Sequence, residues 1–390
     1  AADRGNLATD MATVLPLNAL NLSGRSLGLA PQMPKLAGLF NGSAANAFAD
    51  RRLAIMANVG VLTQPTTLSQ YRNRSVELPQ QLFSHSDMQS HNQTANPNAF
   101  ASKGWGGRLA DVLSPNSGGG LIPVSISIGG SNIWMTAEQV LAFQLSSNGP
   151  AKVDGYRFWD SNTNFKGIFD NQVTMARRNI LEDAWGDVMA RAIDTSAAVS
   201  TALVAPSTPV VNTVFPTSRL GGQLKMVARM IAARQAIGIK RQIFFVSMGG
   251  FDTHGGQLTD HPPLLSALDD ALSAFYQSTT ELGVQNHVTT FTMSDFGRTL
   301  VSNGRGSDHG WGSHHFVLGG AVQGGNVYGE FPIVSNGSTP TNVGEGRLLP
   351  TTAIEQYGAT LCSWMGAGSS ELDAVFPLLN RFSNRNLGFI

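Results

Sequence analysis

The pattern of apolar and polar positions along this 390-residue chain predicts alternating strands and helices. Short runs of branched and aromatic residues predict buried strands at residues 52–60, 121–128, 242–247, 287–293 and 315–318. Longer stretches with apolar residues at helical spacing predict helices at residues 105–113, 173–203, 220–236, 263–282 and 353–365. We therefore expect an α/β fold with a mostly parallel central sheet and helices on both faces.

The chain shows no internal repeat and no linker that would divide it. We expect a single domain over residues 1–390, with an irregular excursion at about residues 114–215 that is rich in Gly, Asn and Ser. The run at 242–247 has no polar interruption, which is typical of a central parallel strand.

The composition excludes several classes of protein. Lys plus Arg equals Asp plus Glu at 26 each, so there is no basic excess for nucleic acid. No run approaches 18 apolar residues, so we expect no membrane span. Cys362 is the single cysteine, which excludes an intramolecular disulfide and a cysteine-based zinc site. Only 13% of residues are charged, about half the usual ~25%, and we take this to favour a periplasmic or secreted protein.

Ionisable groups gather where two of the predicted strands end. Six of the eight histidines lie between His254 and His315. Asp252 and His254 follow the 242–247 strand, and Asp295 follows the 287–293 strand with Arg298 close behind. Acids and imidazoles at strand ends are typical of a metal or acid–base site in an α/β enzyme. The alternatives are an ordinary turn around Asp252 and a structural Asp295–Arg298 ion pair.

The segment GRGSDHGWGSHH carries a second group of candidates, namely Asp308, His309, His314 and His315. Neutral imidazole is a good ligand for Zn, Mn or Fe. We take His309 as the first choice for a ligand, with His314 and His315 as further candidates. A flexible loop with solvated histidines is the alternative.

The segment LFSHSDMQSH is a weaker candidate. Ser84 could act as a nucleophile activated by a metal ion, and His85 could act beside it as an acid or base. Neighbours in sequence seldom form a catalytic triad, whose members usually come from separate loops. Helix capping by Ser84 or Ser86 is the alternative explanation.

Several blocks resemble the bacterial domain-of-unknown-function family 1501 over nearly the whole chain. They are LAIMANVGVLTQPTT, LPQQLFSHSDMQ, QIFFVSMGGFDTHGGQ, SDFGRTL, GSDHGWGSHHFVLGGAVQGG and YGATLCSWMG. Members of that family are similar to the alkaline phosphatase and sulfatase superfamily. The resemblance implies an α/β sandwich with metal ligands at strand ends. It also implies export, commonly by a twin-arginine signal that would precede Ala1.

The resemblance also implies roles for particular residues. Asp252 and His254 resemble one ligand pair of the superfamily, Asp295 the later acidic ligand and His309 the late histidine. Ser84 lies where a nucleophile would begin a helix. The chain departs from the pattern at Phe296, where superfamily enzymes often have a histidine ligand. It also begins after the strand that usually opens family members, so we expect the sheet to lack that strand.

These observations lead to one main hypothesis and two alternatives. The main hypothesis is an exported hydrolase of phosphate or sulfate esters, with a divalent ion (Zn, Mn or Ca) held by Asp252, His254, Asp295 and His309. Ser84 or a water would be the nucleophile, and Arg298 would stabilise negative charge on the transferred group. The first alternative is a non-catalytic, oligomeric or filamentous assembly protein on the same fold, because a net charge near zero favours association. The second is a carbohydrate- or lipid-binding protein.

Overall fold

The structure is a computed structural model. It describes residues 2–22, 24–42, 50–97, 101–118, 120–151, 164–175, 177 and 179–390. The α-helices in these residues are α1 (Pro34–Asn41), α2 (Leu68–Asn73), α3 (His85–Thr94), α4 (Trp105–Leu113), α5 (Asn164–Thr174), α6 (Ile180–Ala202), α7 (Arg219–Ala232), α8 (Arg234–Ile237), α9 (Gln257–Glu281), α10 (Ile354–Trp364) and α11 (Ser369–Val375).

Strands alternate with these helices, which confirms a mixed α/β fold. They are β1 (Leu15–Leu17), β2 (Leu27–Leu29), β3 (Leu53–Gly60), β4 (Ser125–Ser127), β5 (Phe143–Ser146), β6 (Gly149–Pro150), β7 (Ile243–Phe245), β8 (Thr289–Phe291), β9 (Ser313–Gly319), β10 (Val327–Tyr328) and β11 (Thr352–Ala353).

The largest sheet is not the mostly parallel sheet that the sequence predicts. Its strand order is β10-β3-β9-β8, with β11 also paired to β3. Strands β10 and β11 run parallel to β3, whereas β9 runs antiparallel to both β3 and β8. No helix lies between β8 and β9 in the chain, so the chain turns back beside itself without the crossover that a parallel pair needs. An apolar run carries no information about strand direction, which explains the error.

A second sheet has the order β6-β5-β4-β7. Strand β7 pairs in parallel with β4, as the apolar run at 242–247 predicts, but β4 is its single partner strand, so β7 is not central. Within the excursion predicted at 114–215, β4 and α6 correspond to the strand predicted at 121–128 and the helix predicted at 173–203, whereas β5, β6 and α5 were not predicted. The side-chain pattern alone could not show which strands pair, because β4 pairs with β7, which lies far from it in the sequence.

The core is built around β3, in which all eight residues are buried. Apolar side chains of α1, α7, α9 and α10 join β3 in one buried cluster. Removing this apolar surface from water stabilises the sheet and so holds the strand ends in place. No helix in the described part of the chain is long and apolar enough to cross a membrane.

Candidate metal centre

The candidate site lies where β8 ends and β9 begins. Because these strands are antiparallel, the segment after β8 meets the segment before β9, and Arg298 and His309 form an isolated antiparallel bridge there. The loop after β7 adds Asp252 and His254, and the first residue of α3 adds His85. Separate segments of the chain therefore supply the side chains of one cluster.

Three side-chain atoms with lone pairs face one another in this cluster. Nε2 of His254 lies 2.9 Å from Nε2 of His309 and 2.9 Å from Oδ1 of Asp252. Nε2 of His309 lies 3.0 Å from the same carboxylate oxygen. Ligands held about 2.0–2.2 Å from one ion lie roughly 3 Å apart, so these separations fit a shared cation.

His85 extends this set. Its Nε2 lies 2.9 Å from Oδ2 of Asp252, and ligand atoms of His85, Asp252 and His309 all lie within 4.8 Å of one another. In this arrangement Nε2 of His85 donates to the carboxylate. A proton on its other ring nitrogen instead would leave Nε2 free to act as a further ligand.

Hydrogen bonds at the opposite ring nitrogens decide the protonation of two histidines. Nδ1 of His309 donates to the carbonyl oxygen of Phe83 at 2.7 Å, and Nδ1 of His254 donates to Oδ1 of Asp308 at 2.8 Å. The bond from His254 lowers the pKa of Asp308 from its usual value, so this carboxylate is ionised and only accepts. With each Nδ1 occupied as a donor, the Nε2 atoms of both rings point at each other and at Oδ1 of Asp252. Either a proton on one Nε2 or a cation shared by both would satisfy these facing atoms. Metal-binding histidines are usually oriented by such a second hydrogen bond.

The charge of the cluster also favours a cation. Burial would raise the pKa of Asp252, but hydrogen bonds from Arg298 and His85 outweigh it and hold the pKa well below its usual range. Nη1 of Arg298 donates to Oδ1 of Asp252 at 2.6 Å. With Asp252 and Asp308 ionised and one guanidinium present, the cluster carries one net negative charge while its histidines are neutral.

Phe296 forms one wall of the cluster. Its ring stacks on His309, with centroids 4.0 Å apart and an interplanar angle of 22°. The edge of the His85 ring meets it at 4.8 Å. This is the position where the resemblance implies a histidine ligand. Here an apolar ring packs against the imidazole of His309 and adds no ligand atom.

Phe83 reaches the cluster through its backbone, which is strained. Its φ is +73°, a conformation that is unfavourable for a bulky side chain and is often found at functional sites. Its carbonyl oxygen accepts the proton of His309 Nδ1. Arg347 contacts both Phe83 and His309. Its guanidinium lies 5.2 Å from the centre of the Phe83 ring, and its Nε donates to the carbonyl oxygen of His309 at 2.8 Å.

The loops that carry His254 and Asp308 touch at Gly306. A Cβ on Gly306 would lie 2.1 Å from the carbonyl oxygen of Thr253, so no other residue fits without movement of the backbone. Nδ2 of Asn303 donates both to the His254 carbonyl at 3.1 Å and to Oδ1 of Asp308 at 3.0 Å. This close approach keeps Asp308 within reach of the His254 ring.

Ser84 lies beside the cluster, directly after Phe83. It precedes the first residue of α3, but its side chain makes no capping hydrogen bond to the helix. Its Oγ donates to Oδ2 of Asp87 at 2.6 Å, and this bond lowers the pKa of Asp87. The serine hydroxyl therefore donates to an ionised carboxylate.

Three residues predicted as ligands lie outside the converging atoms. Burial raises the pKa of Asp295, and its carboxyl is not in the convergent set. His314 and His315 belong to β9 and not to a loop over the site. The His314 ring stacks on Phe331 at 4.8 Å, and His315 is buried with its ring 6.1 Å from Tyr357. Successive residues of a strand point to opposite faces, so this pair cannot close over one ion.

Other contributors were not predicted as part of the site. Asp308 was noticed beside His309, but not as the group that orients His254. Phe83, Asn303 and Ser307 were missed. Phe83 contributes a backbone carbonyl, for which side-chain chemistry gives no signal. Ser307 holds Arg298 with its hydroxyl, which lies 3.2 Å from Nε, and with its carbonyl oxygen.

Comparison with known proteins adds one family match. The sequence model of the family described as "protein of unknown function (DUF1501)" matches residues 30–355. No curated protein and no solved structure matched the chain.

Proposed function

This chain belongs to the DUF1501 family, and we propose that it is an exported, metal-dependent hydrolase of phosphate or sulfate esters. The proposal depends chiefly on one observation. The Nε2 atoms of His254 and His309, whose Nδ1 atoms are both donors, face each other at 2.9 Å beside Oδ1 of Asp252. A divalent ion bound by these three atoms would account for their convergence. The placement in the alkaline phosphatase and sulfatase superfamily stays a prediction.

His254, His309 and Asp252 would hold the ion, with His85 as a fourth ligand. Two imidazoles and a carboxylate favour Zn²⁺ or Mn²⁺ over Ca²⁺. A bound divalent ion supplies Lewis acidity, which polarises an ester oxygen and lowers the pKa of a bound water. Arg298, which is paired with Asp252, adds positive charge beside the same place.

Ser84 is the candidate nucleophile among the side chains. Its oxygen would bond to phosphorus or sulfur while its proton passes to Asp87, 2.6 Å away. The bond from phosphorus or sulfur to the ester oxygen would break, and the alcohol would leave with the proton held by Asp87. Water would then attack phosphorus or sulfur, releasing phosphate or sulfate while the Ser84 oxygen regains a proton. A water activated in the cluster is the alternative nucleophile.

Metal content and ester turnover test the proposal. We expect about one equivalent of Zn or Mn in protein purified without chelator, together with chelator-sensitive hydrolysis of an aryl phosphate or aryl sulfate. Asp252→Ala and His309→Gln should lose both the metal and the activity. Ser84→Ala should keep the metal, and it should lose turnover only if Ser84 is the nucleophile.

The matched control is His287→Gln, which changes an exposed histidine outside the cluster and should keep both properties. Folded wild-type protein that takes up less than about a tenth of an equivalent and hydrolyses neither ester with Zn, Mn or Ca would overturn the proposal.

A second candidate function is a non-catalytic, exported assembly protein. The observation that favours it is a set of large apolar side chains exposed at the start of α6. Ile180 is 82% exposed, Leu181 76% and Trp185 52%. Exposed apolar patches often mark interaction sites.

A further inference from the structure

A separate cavity of about 200 Å³ shares Arg298 with the candidate metal centre. Its lining includes the polar residues Arg4, Arg298, Thr299, Ser313 and His314. The lining contains no carboxylate. Every ionisable group on its wall is therefore either basic or neutral, never acidic.

Arg4 is the least compensated charge in this lining. Its guanidinium is half-buried and donates from Nη1 to the carbonyl oxygen of Thr299 at 3.0 Å. No acidic group in the described part of the chain lies within 4.0 Å of it. Burial, followed by repulsion from Arg298, lowers the pKa of Arg4. A buried cation without a counter-charge is unfavourable, and an anion would remove this cost.

Arg298 and His314 provide further donors. Nη1 of Arg298 donates to Asp252, and Nε and Nη2 donate to Ser307, which leaves two of the five N–H groups of the guanidinium. Nδ1 of His314 accepts from the backbone N–H of Asn58 at 3.0 Å. A backbone N–H only donates, so the proton of this neutral imidazole is on Nε2, where it acts as a donor.

We propose that this cavity binds a small oxyanion, such as phosphate, sulfate or a carboxylate, between the guanidinium groups of Arg4 and Arg298. Guanidinium groups present paired N–H donors that match two oxygens of such an anion. Nε2–H of His314 adds a neutral donor. The inference does not require that the protein hydrolyses esters.

Isothermal titration calorimetry on the full chain at low ionic strength tests this site, with inorganic phosphate, sulfate and acetate as separate probes. We expect a dissociation constant at or below about 1 mM for at least one of them. Arg4→Gln should weaken binding about tenfold to a hundredfold, and Arg4→Lys should restore part of it. The matched control is Arg72→Gln, which removes an exposed positive charge outside the cavity and should change affinity by less than about twofold.

Two further measurements separate this site from the metal centre. Anion binding that persists when a chelator has removed any metal takes place in the cavity. Anion binding that is lost together with the metal takes place at a bound metal ion and would overturn the inference. Thermal melting of Arg4→Gln checks that the variant is folded. Equal affinity in wild type, Arg4→Gln and Arg4→Lys, or no binding up to about 10 mM, would also overturn it. Metal content and ester turnover stay independent readouts, so failure here leaves the proposed hydrolase untouched.

Discussion

At the scale of single residues, the site depends on groups that orient the candidate ligands. His309 and His254 each have one ring nitrogen engaged, the first by the Phe83 carbonyl and the second by the Asp308 carboxylate. Without these acceptors either ring could carry its proton on Nε2. The candidate centre therefore needs Phe83 and Asp308 as much as it needs the imidazoles.

The substitution Asp308→Asn tests this orientation. A neutral amide is a weaker acceptor than a carboxylate, so His254 should lose its preference for the Nδ1–H form. We expect the metal dissociation constant to rise about tenfold to a hundredfold, as measured by competition with a chromophoric chelator.

Asp373→Asn is the matched control, because it removes an exposed carboxylate paired with Arg385 outside the site. It should leave metal affinity unchanged. If Asp308→Asn binds metal as tightly as wild type at every pH, Asp308 does not orient His254.

At the scale of elements, the antiparallel arrangement of β8 and β9 creates the site. It brings Arg298 and His309 into a bridge, and Gly306 allows the His309 loop to touch the loop after β7. Helix α6 differs from the other elements, since Ile180, Leu181 and Trp185 are exposed at its start. The antiparallel strand pair therefore positions the candidate ligands, whereas the start of α6 leaves apolar side chains in contact with solvent.

The assembly function predicts concentration-dependent self-association through α6. Leu181→Glu should abolish this association, because burying the new carboxylate in an apolar contact is unfavourable. Sedimentation velocity over about a hundredfold range of concentration measures the effect. Ala184→Glu adds the same charge without removing a large apolar side chain and should have a smaller effect. A wild-type protein that stays monomeric over the whole range contradicts the assembly function.

At the scale of the whole molecule, one buried carboxyl links stability to pH. Glu355 in α10 is fully buried, and neither of its carboxyl oxygens has a hydrogen-bond partner. Burial raises its pKa to about 8, despite the opposing charges of Arg108 and Arg381. The folded protein therefore keeps a proton that the unfolded chain releases near pH ~4.3.

The sign of the pH effect follows from this difference. Glu355 should lower the free energy of unfolding as pH rises from about 4.3 to about 8, by roughly 1 kcal/mol per pH unit, with little further change above that range. Glu355→Gln should remove this contribution, because it keeps the shape of the side chain and cannot ionise. Melting temperatures at several pH values measure it. Parallel pH profiles for wild type and Glu355→Gln would show that Glu355 does not carry the effect.

The sequence by itself determined the elements and much of the chemistry. Apolar residues at helical spacing predicted helices at 220–236 and 353–365. The structure places these helices at Arg219–Ala232 and Ile354–Trp364. The predicted helix at 173–203 corresponds to α6 (Ile180–Ala202), and α5 (Asn164–Thr174) was not predicted. Asp252, His254 and His309 were recognised because acids and histidines concentrate after apolar runs in a chain with few charges.

Only the tertiary structure decided strand direction and which candidates converge. A side-chain pattern records which face of an element is buried, but not which strand it pairs with or in which sense. That is why β9 was not recognised as antiparallel, and why His314 and His315 were predicted to be candidate metal ligands. The contribution of Phe83 comes from a backbone carbonyl at positive φ. Such contacts arise from chain geometry and leave no signal in residue type.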